Sequence, residues 1–92
     1  MSNDKNDVIF IGKKPLMIYV NSAIIQLSSN PQITLKARGS TMGLAIDVSQ
    51  VIMRKTNIFE LGDIKVSSEQ LASSDGRTRN VSSIEIPIKR IS

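Results

Sequence analysis

The junction Ile11-Gly12-Lys13-Lys14-Pro15 stands between two different apolar patterns, and it commits the chain to a strand that turns straight into a helix. Before it, Val8 to Ile11 is an unbroken apolar run, the pattern of a strand buried on both faces. After it, Leu16, Val20, Ala23, Ile24 and Leu27 recur at the spacing of one helix face. Pro15 suits a first helical turn, where its missing N–H is no loss. Gly12 supplies the corner, and Lys13 and Lys14 are left beside a helix N-terminus. That end already carries about half a positive charge and free N–H donors. Two ammonium groups added there repel the helix end unless an anion joins them, and phosphate is the obvious candidate.

The rest of the chain alternates between the same two periods. Met17 and Ile25 lie off the helical stripe and form a second apolar surface suited to a partner chain. The helix ends at Ser28-Ser29-Asn30-Pro31, because a residue before proline is pushed out of the α region. Ile33, Leu35 and Ala37 then alternate with Thr34, Lys36 and Arg38 in a half-buried strand. Gly39-Ser40-Thr41 forms the next corner, with Ser40 or Thr41 as N-cap of a second helix from Met42 to Lys55. Its core stripe is Ala45, Val48 and Ile52, flanked by Leu44 and Val51; Gly43 weakens it by about 1 kcal/mol relative to alanine. Arg54 and Lys55 complement the dipole of its last turn, which is role enough for them.

Ile58 to Gly62 reads as a connection that packs Ile58 and Phe59 back on the domain, and Phe10 also reads as core. Ile64, Val66 and Ser68 alternate in a third strand, and Ile84, Ile86 and Ile88 in a fourth. The polar turn 72–80, centred on Asp75-Gly76, joins them as a long hairpin. Pro87 has no ladder donor, so the fourth strand is an edge there or carries a bulge. The expectation is an α+β two-layer sandwich in the order β-α-β-α-β-β, a four-stranded mixed sheet covered by two helices with a long hairpin arm. It occupies residues 8–92 as one domain, with residues 1–7 a frayed polar tail that lacks the apolar region of a signal peptide.

Composition removes whole classes of chemistry. Neither cysteine nor histidine occurs, so Cys/His zinc sites, thiol nucleophiles, disulfides and His-based triads cannot be built. No carboxylates are spaced to converge on a metal, and the expectation is neither enzyme nor cofactor site. A catalytic or metabolite-binding role at the Gly12/Gly39 sheet edge, through Asp47 or Tyr19, is the remote alternative. No apolar run approaches the ~18 residues of a membrane span.

Charge is more informative. The net charge is +4. Residues 8–40 carry Lys13, Lys14, Lys36 and Arg38 and no acid. Residues 76–92 set Arg77, Arg79, Lys89 and Arg90 against Glu85 alone, whereas the stretch between them is net acidic. Cations segregated in this way suit a polyanion, as well as a merely solvated face. With both first strands parallel, Lys13-Lys14 and Lys36 to Arg38 share one sheet edge. Arg77 and Arg79, one residue apart on the arm, would share a face of it. Aromatic content is 3%, too low for a base-stacking platform, so backbone-directed binding is expected.

The stretch Ile11-Gly12-Lys13-Lys14-Pro15-Leu16-Met17-Ile18-Tyr19-Val20 resembles the opening signature of Alba, the archaeal chromatin protein family. Thr34-Leu35-Lys36-Ala37-Arg38-Gly39, Ala45-Ile46-Asp47-Val48, and Ser74-Asp75-Gly76-Arg77 followed by Val81 to Ile86 keep that family's order and spacing. The resemblance implies the fold shared with the C-terminal domain of bacterial translation initiation factor three. It further implies a homodimer, or a heterodimer with a paralogue, that binds double-stranded DNA without sequence preference. In that picture the dimer body rests on phosphates and the hairpin arms lie in the minor groove.

Lys13 and Lys14 match the family's phosphate-binding pair, and Lys13 its acetylated lysine, which would make a deacetylase a partner. Arg38 matches the body arginine; Arg77 and Arg79 fall on the arm. The family's setting implies a cytoplasmic protein on the chromosome. RNA is the alternative ligand, since the family includes RNA-binding members and resembles small subunits of ribonuclease P. Two positions depart from the pattern. Ser40 replaces a second arginine, and Thr56 replaces a helix-end aromatic that joins neighbouring dimers, with Ile58 and Phe59 as nearby substitutes.

Overall fold

The computed structural model describes residues 7–91. The expected tail therefore lies outside the described residues except for Asp7. In chain order the elements are β1 (Val8–Phe10), α1 (Leu16–Ser29), β2 (Gln32–Arg38), α2 (Met42–Lys55), β3 (Phe59–Leu61), β4 (Lys65–Ala72) and β5 (Thr78–Arg90). Both helices fall on the spans that periodicity marks out. α1 stops where Asn30, extended before Pro31, donates its N–H to the Gln26 carbonyl at 2.8 Å. A single 3-10 turn, Gly39–Thr41, leads into α2, opened by Gly39 at φ +58°. Thr41 sits at the N-cap position, yet its hydroxyl bonds back to the Arg38 carbonyl at 2.8 Å instead of capping α2.

One mixed sheet carries the strands in the order β1-β2-β5-β3, with β4 also paired to β5. β1 and β2 are parallel and the remaining pairs antiparallel. One sheet face presents Ile9, Ile33, Leu35, Ala37, Ile84, Ile86 and Ile88 to Val20, Ala23 and Leu27 of α1 and Ala45, Val48 and Ile52 of α2. These alternate residues of the strands meet the helical stripes, and water leaves the space between; each large apolar side chain so buried is worth about 1.5–3 kcal/mol. Among the described residues no layer covers the opposite face. This is the expected α+β sandwich.

Three local expectations are corrected. Ile58 to Gly62 is no mere connection, because Phe59–Leu61 forms β3 on the outer side of β5, pairing with Ile88–Arg90 and giving the sheet five strands. β1 is not buried on both faces: Ile9 is covered by the helices, while Phe10 is 74% exposed on the open face. Phe59, by contrast, is buried as expected. β4 is exposed along both faces although Ile64 and Val66 suggest a buried side, because the helices end before they reach it.

Pro87 is resolved by the topology. Its carbonyl accepts from Gly62 N at 2.8 Å, so its donorless nitrogen faces the same side, at the break between β3 and β4. β2 ends opposite Ser83, at Arg38. Beyond that point β4 and β5 continue alone to the Ala72–Thr78 pair as a two-stranded arm. The radius of gyration, 14.4 Å, exceeds the roughly 12 Å of a compact chain of this length because of that arm.

Candidate nucleic-acid interface

Parallel pairing of β1 with β2 brings their carboxyl ends to one sheet edge, as expected. The Ile11 N–H, bonded to the Lys36 carbonyl at 2.8 Å, carries this pairing up to the lysine corner. Lys13 and Lys14 are exposed there, and neither forms an ion pair with another described residue. Tyr19 shapes the corner. Its ring is buried one turn into α1, and its hydroxyl accepts from the Gly12 N–H at 2.8 Å and the Lys14 N–H at 3.0 Å. Two backbone donors of the kind that meet anions are thereby committed to the tyrosine. The two ammonium groups remain for a ligand.

Lys36 and Arg38 are placed differently. The Lys36 ammonium lies 3.7 Å from the Glu85 carboxylate, opposite it on β5. The Arg38 guanidinium lies 3.7 Å from Glu69 on β4. Both pairs are half-exposed, so each contributes at most about 1 kcal/mol and a phosphate can compete for the cation. Ser40 is exposed in the 3-10 turn just beyond Arg38. Thr56 ends α2, its hydroxyl accepting from Ile58 N at 3.3 Å; of its two apolar neighbours, Ile58 is exposed and Phe59 is not.

The arm roots beside Arg38, at the same edge. Its tip is closed by Ser73 N donating to the Arg77 carbonyl at 2.7 Å, with Gly76 at φ +84° turning the chain. The Asp75 carboxylate accepts from the Ser73 hydroxyl and from Arg77 N–H at 3.1 Å, and sits 3.7 Å from the Arg77 guanidinium. The Ser73 hydrogen bond first, then the Arg77 backbone, hold Asp75 below the ordinary aspartate pKa. Arg79 lies on β5 opposite Leu71, whereas Arg77 belongs to the closing loop. Strand alternation therefore does not place the two on one face. Arg90, counted with the basic C-terminal block, is turned inward: its guanidinium donates to the Leu27 carbonyl in the last turn of α1.

The structure thus gathers Lys13, Lys14, Lys36 and Arg38 at one edge and roots the arm that carries Arg77 and Arg79 beside them. The sequence gives Tyr19 only a remote catalytic or metabolite-binding role and reads Phe10 as core, and it offers no place in the site for Glu69 and Glu85. The acids escape notice because their cation partners are set by strand register, which no local pattern encodes. Among the described residues no cluster of carboxylates could hold a metal ion, and no helix is long and apolar enough to cross a membrane.

A family model described as Alba matches residues 7–68. The chain is 56% identical to the "DNA/RNA-binding protein Alba" of Nitrosopumilus maritimus, over 98% of this chain and 97% of that one. Identity is 42% to the protein of the same description from Methanocella arvoryzae, covering 94% and 92%. Among solved structures, Alba from Thermoplasma volcanium superimposes with a TM-score of 0.81 at 39% identity, over 90% of this chain and 99% of that one. ALBA1 from Trypanosoma brucei shares the fold, with a TM-score of 0.76 at 16% identity, over 92% of this chain and 69% of that one.

Proposed function

The chain belongs to the Alba family, and from that premise we propose that it binds nucleic acid, holding double-stranded DNA as an architectural protein of the chromosome without regard to sequence. The observation that carries this reading is the convergence of Lys13, Lys14, Lys36 and Arg38 on one sheet edge, beside a slim arm bearing Arg77 and Arg79. Corners rich in ammonium and guanidinium suit phosphates, and a two-stranded ribbon is narrow enough for a groove. The relatives' description as DNA/RNA-binding points the same way.

Exposed Ile18 and Ile25 on α1 and Ile46 on α2 support association with a second chain, a homodimer or a paralogue pair, which would double the cations. Each arm would then reach along the minor groove from a shared body. Such a protein belongs on the chromosome in the cytoplasm. Lys13 is free of ion pairs with described residues, which favours it as an acetylation site; acetylation would remove one phosphate-binding charge per chain. A deacetylase would restore it.

Fluorescence anisotropy of Lys13→Ala on duplexes of unrelated sequence tests the reading. A uniform loss across sequences is expected, because a phosphate contact carries no base information. A loss confined to one sequence would contradict it. RNA is the second reading, favoured by the relatives' description. Structured RNA outcompeting duplex DNA of equal length would establish it in place of the first.

A further inference from the structure

The open face of the sheet carries an aromatic ring that the phosphate-binding reading leaves unused. Phe10 is the last residue of β1 and stands 74% exposed, three residues before Lys13. Across the β1–β2 pairing it faces Lys36, whose ammonium is held by Glu85 at 3.7 Å. From Phe10 a groove of about 580 Å³ runs over β2 to the root of the arm, past Lys36, Arg38, Ser67, Ser83 and Glu85. The Ser67 and Ser83 hydroxyls bond to each other at 2.8 Å, leaving one hydrogen and several lone pairs for a ligand.

An exposed phenyl ring on a sheet face costs contact with water and gains nothing in the isolated chain. Its surroundings say what would cover it. The cations at its own strand end suit a phosphodiester backbone, the ring suits the π-face of a base, and the hydroxyls and carboxylates suit a sugar 2′-hydroxyl or exocyclic groups. The two ion pairs along the groove are exposed and weak, so Lys36 and Arg38 can pass from carboxylate to phosphate without large loss. Duplex cannot use the ring, because its bases are stacked on one another.

We propose that the open sheet face is a single-stranded RNA site in which Phe10 stacks an unpaired base, the strand's phosphates lie on Lys13, Lys14 and Lys36, and the Ser67–Ser83 hydroxyls meet a ribose 2′-hydroxyl. The inference rests on the nucleic-acid reading and deepens it. It assigns duplex and single strand to overlapping cations, and to the ring only the single strand.

The test measures binding of a short oligouridylate, the oligodeoxyuridylate of equal length, and duplex DNA to the full chain and to Phe10→Ala, Phe10→Leu and Phe10→Trp. Phe10→Ala should lose roughly 5- to 150-fold on oligouridylate, the loss that removal of one stacking aromatic brings. Phe10→Leu should lose nearly as much despite its bulk, Phe10→Trp should retain affinity, and duplex binding should stay within about twofold throughout. Leucine binding RNA as well as phenylalanine overturns the stacking, and equal affinity of the unaltered chain for RNA and its deoxy counterpart overturns the assignment to RNA. Sedimentation equilibrium provides the last arm. If Phe10→Ala changes the assembly state and Phe10→Leu restores it, the ring belongs to a protein interface and the proposal falls. Failure of the unaltered chain on duplex DNA as well would instead indict the nucleic-acid reading itself.

Discussion

The hydroxyl of Tyr19 does at the residue scale what a glycine-rich loop does elsewhere: it fixes the backbone on which two lysines are displayed. Both N–H groups it accepts from are partly buried, so Tyr19→Phe strands two donors without a partner. The expected cost is about 1–3 kcal/mol, read as a lower denaturation midpoint at unchanged m-value. A midpoint equal to that of the unaltered protein would show that water replaces the hydroxyl. Little of this was legible in the sequence: Tyr19 falls on the buried face of α1, three residues after Leu16 and four before Ala23, but its hydrogen-bond partners are backbone atoms. Asp75 is the second residue with a defined task. Its pKa is lowered in the folded arm, so its contribution to the turn is present above the unfolded value and disappears as pH falls through the folded one. An NMR titration should therefore show the Asp75 carboxyl, and the Arg77 amide with it, changing below the usual aspartate range. A midpoint at the ordinary value would mean that the tip is not ordered in solution.

Among the elements, the helices and β2 were readable because each buries one face, and burial of one face is what imposes a period on a sequence. β3 was not, since three residues are too few to show alternation and their pairing is set by β5 at the far end of the chain. The arm is the reverse case. Turn chemistry at Asp75-Gly76 announced a hairpin, yet no pattern could tell that β4 is exposed on both faces, because that depends on where the helices stop. Held by ladder hydrogen bonds and a few cross-strand side chains, the arm should open locally far more readily than the core. Hydrogen exchange should find the amides of Ser68–Leu71 much less protected than those of Ile33–Ala37, and equal protection would contradict an unsupported ribbon. Binding can be read at the same scale. Removing Arg79 should lower the salt slope of DNA binding by about one per arm engaged, and no change in slope would take the arm off the phosphates.

For the whole molecule, charge is the property that unites the parts. The sequence showed which segments are basic, and the fold decides how those cations are used. β1 and β2 bring four of them to one edge, two of those are shared with Glu69 and Glu85, and Arg90 is withdrawn to close α1. Phe10 reads as core for a different reason from β3: an apolar run next to a glycine looks buried on both faces until the sheet is seen to have one face that no other described residue covers. A dimer presenting Lys13, Lys14, Arg38, Arg77 and Arg79 twice holds up to ten cations for phosphate. The most direct measurement is anisotropy titration of duplex DNA with the full chain across a range of salt concentrations. If 6–10 of those cations touch phosphate, affinity falls roughly 10³–10⁵-fold between about 50 and 200 mM salt. Binding indifferent to salt, or absent at the low end, would contradict the account.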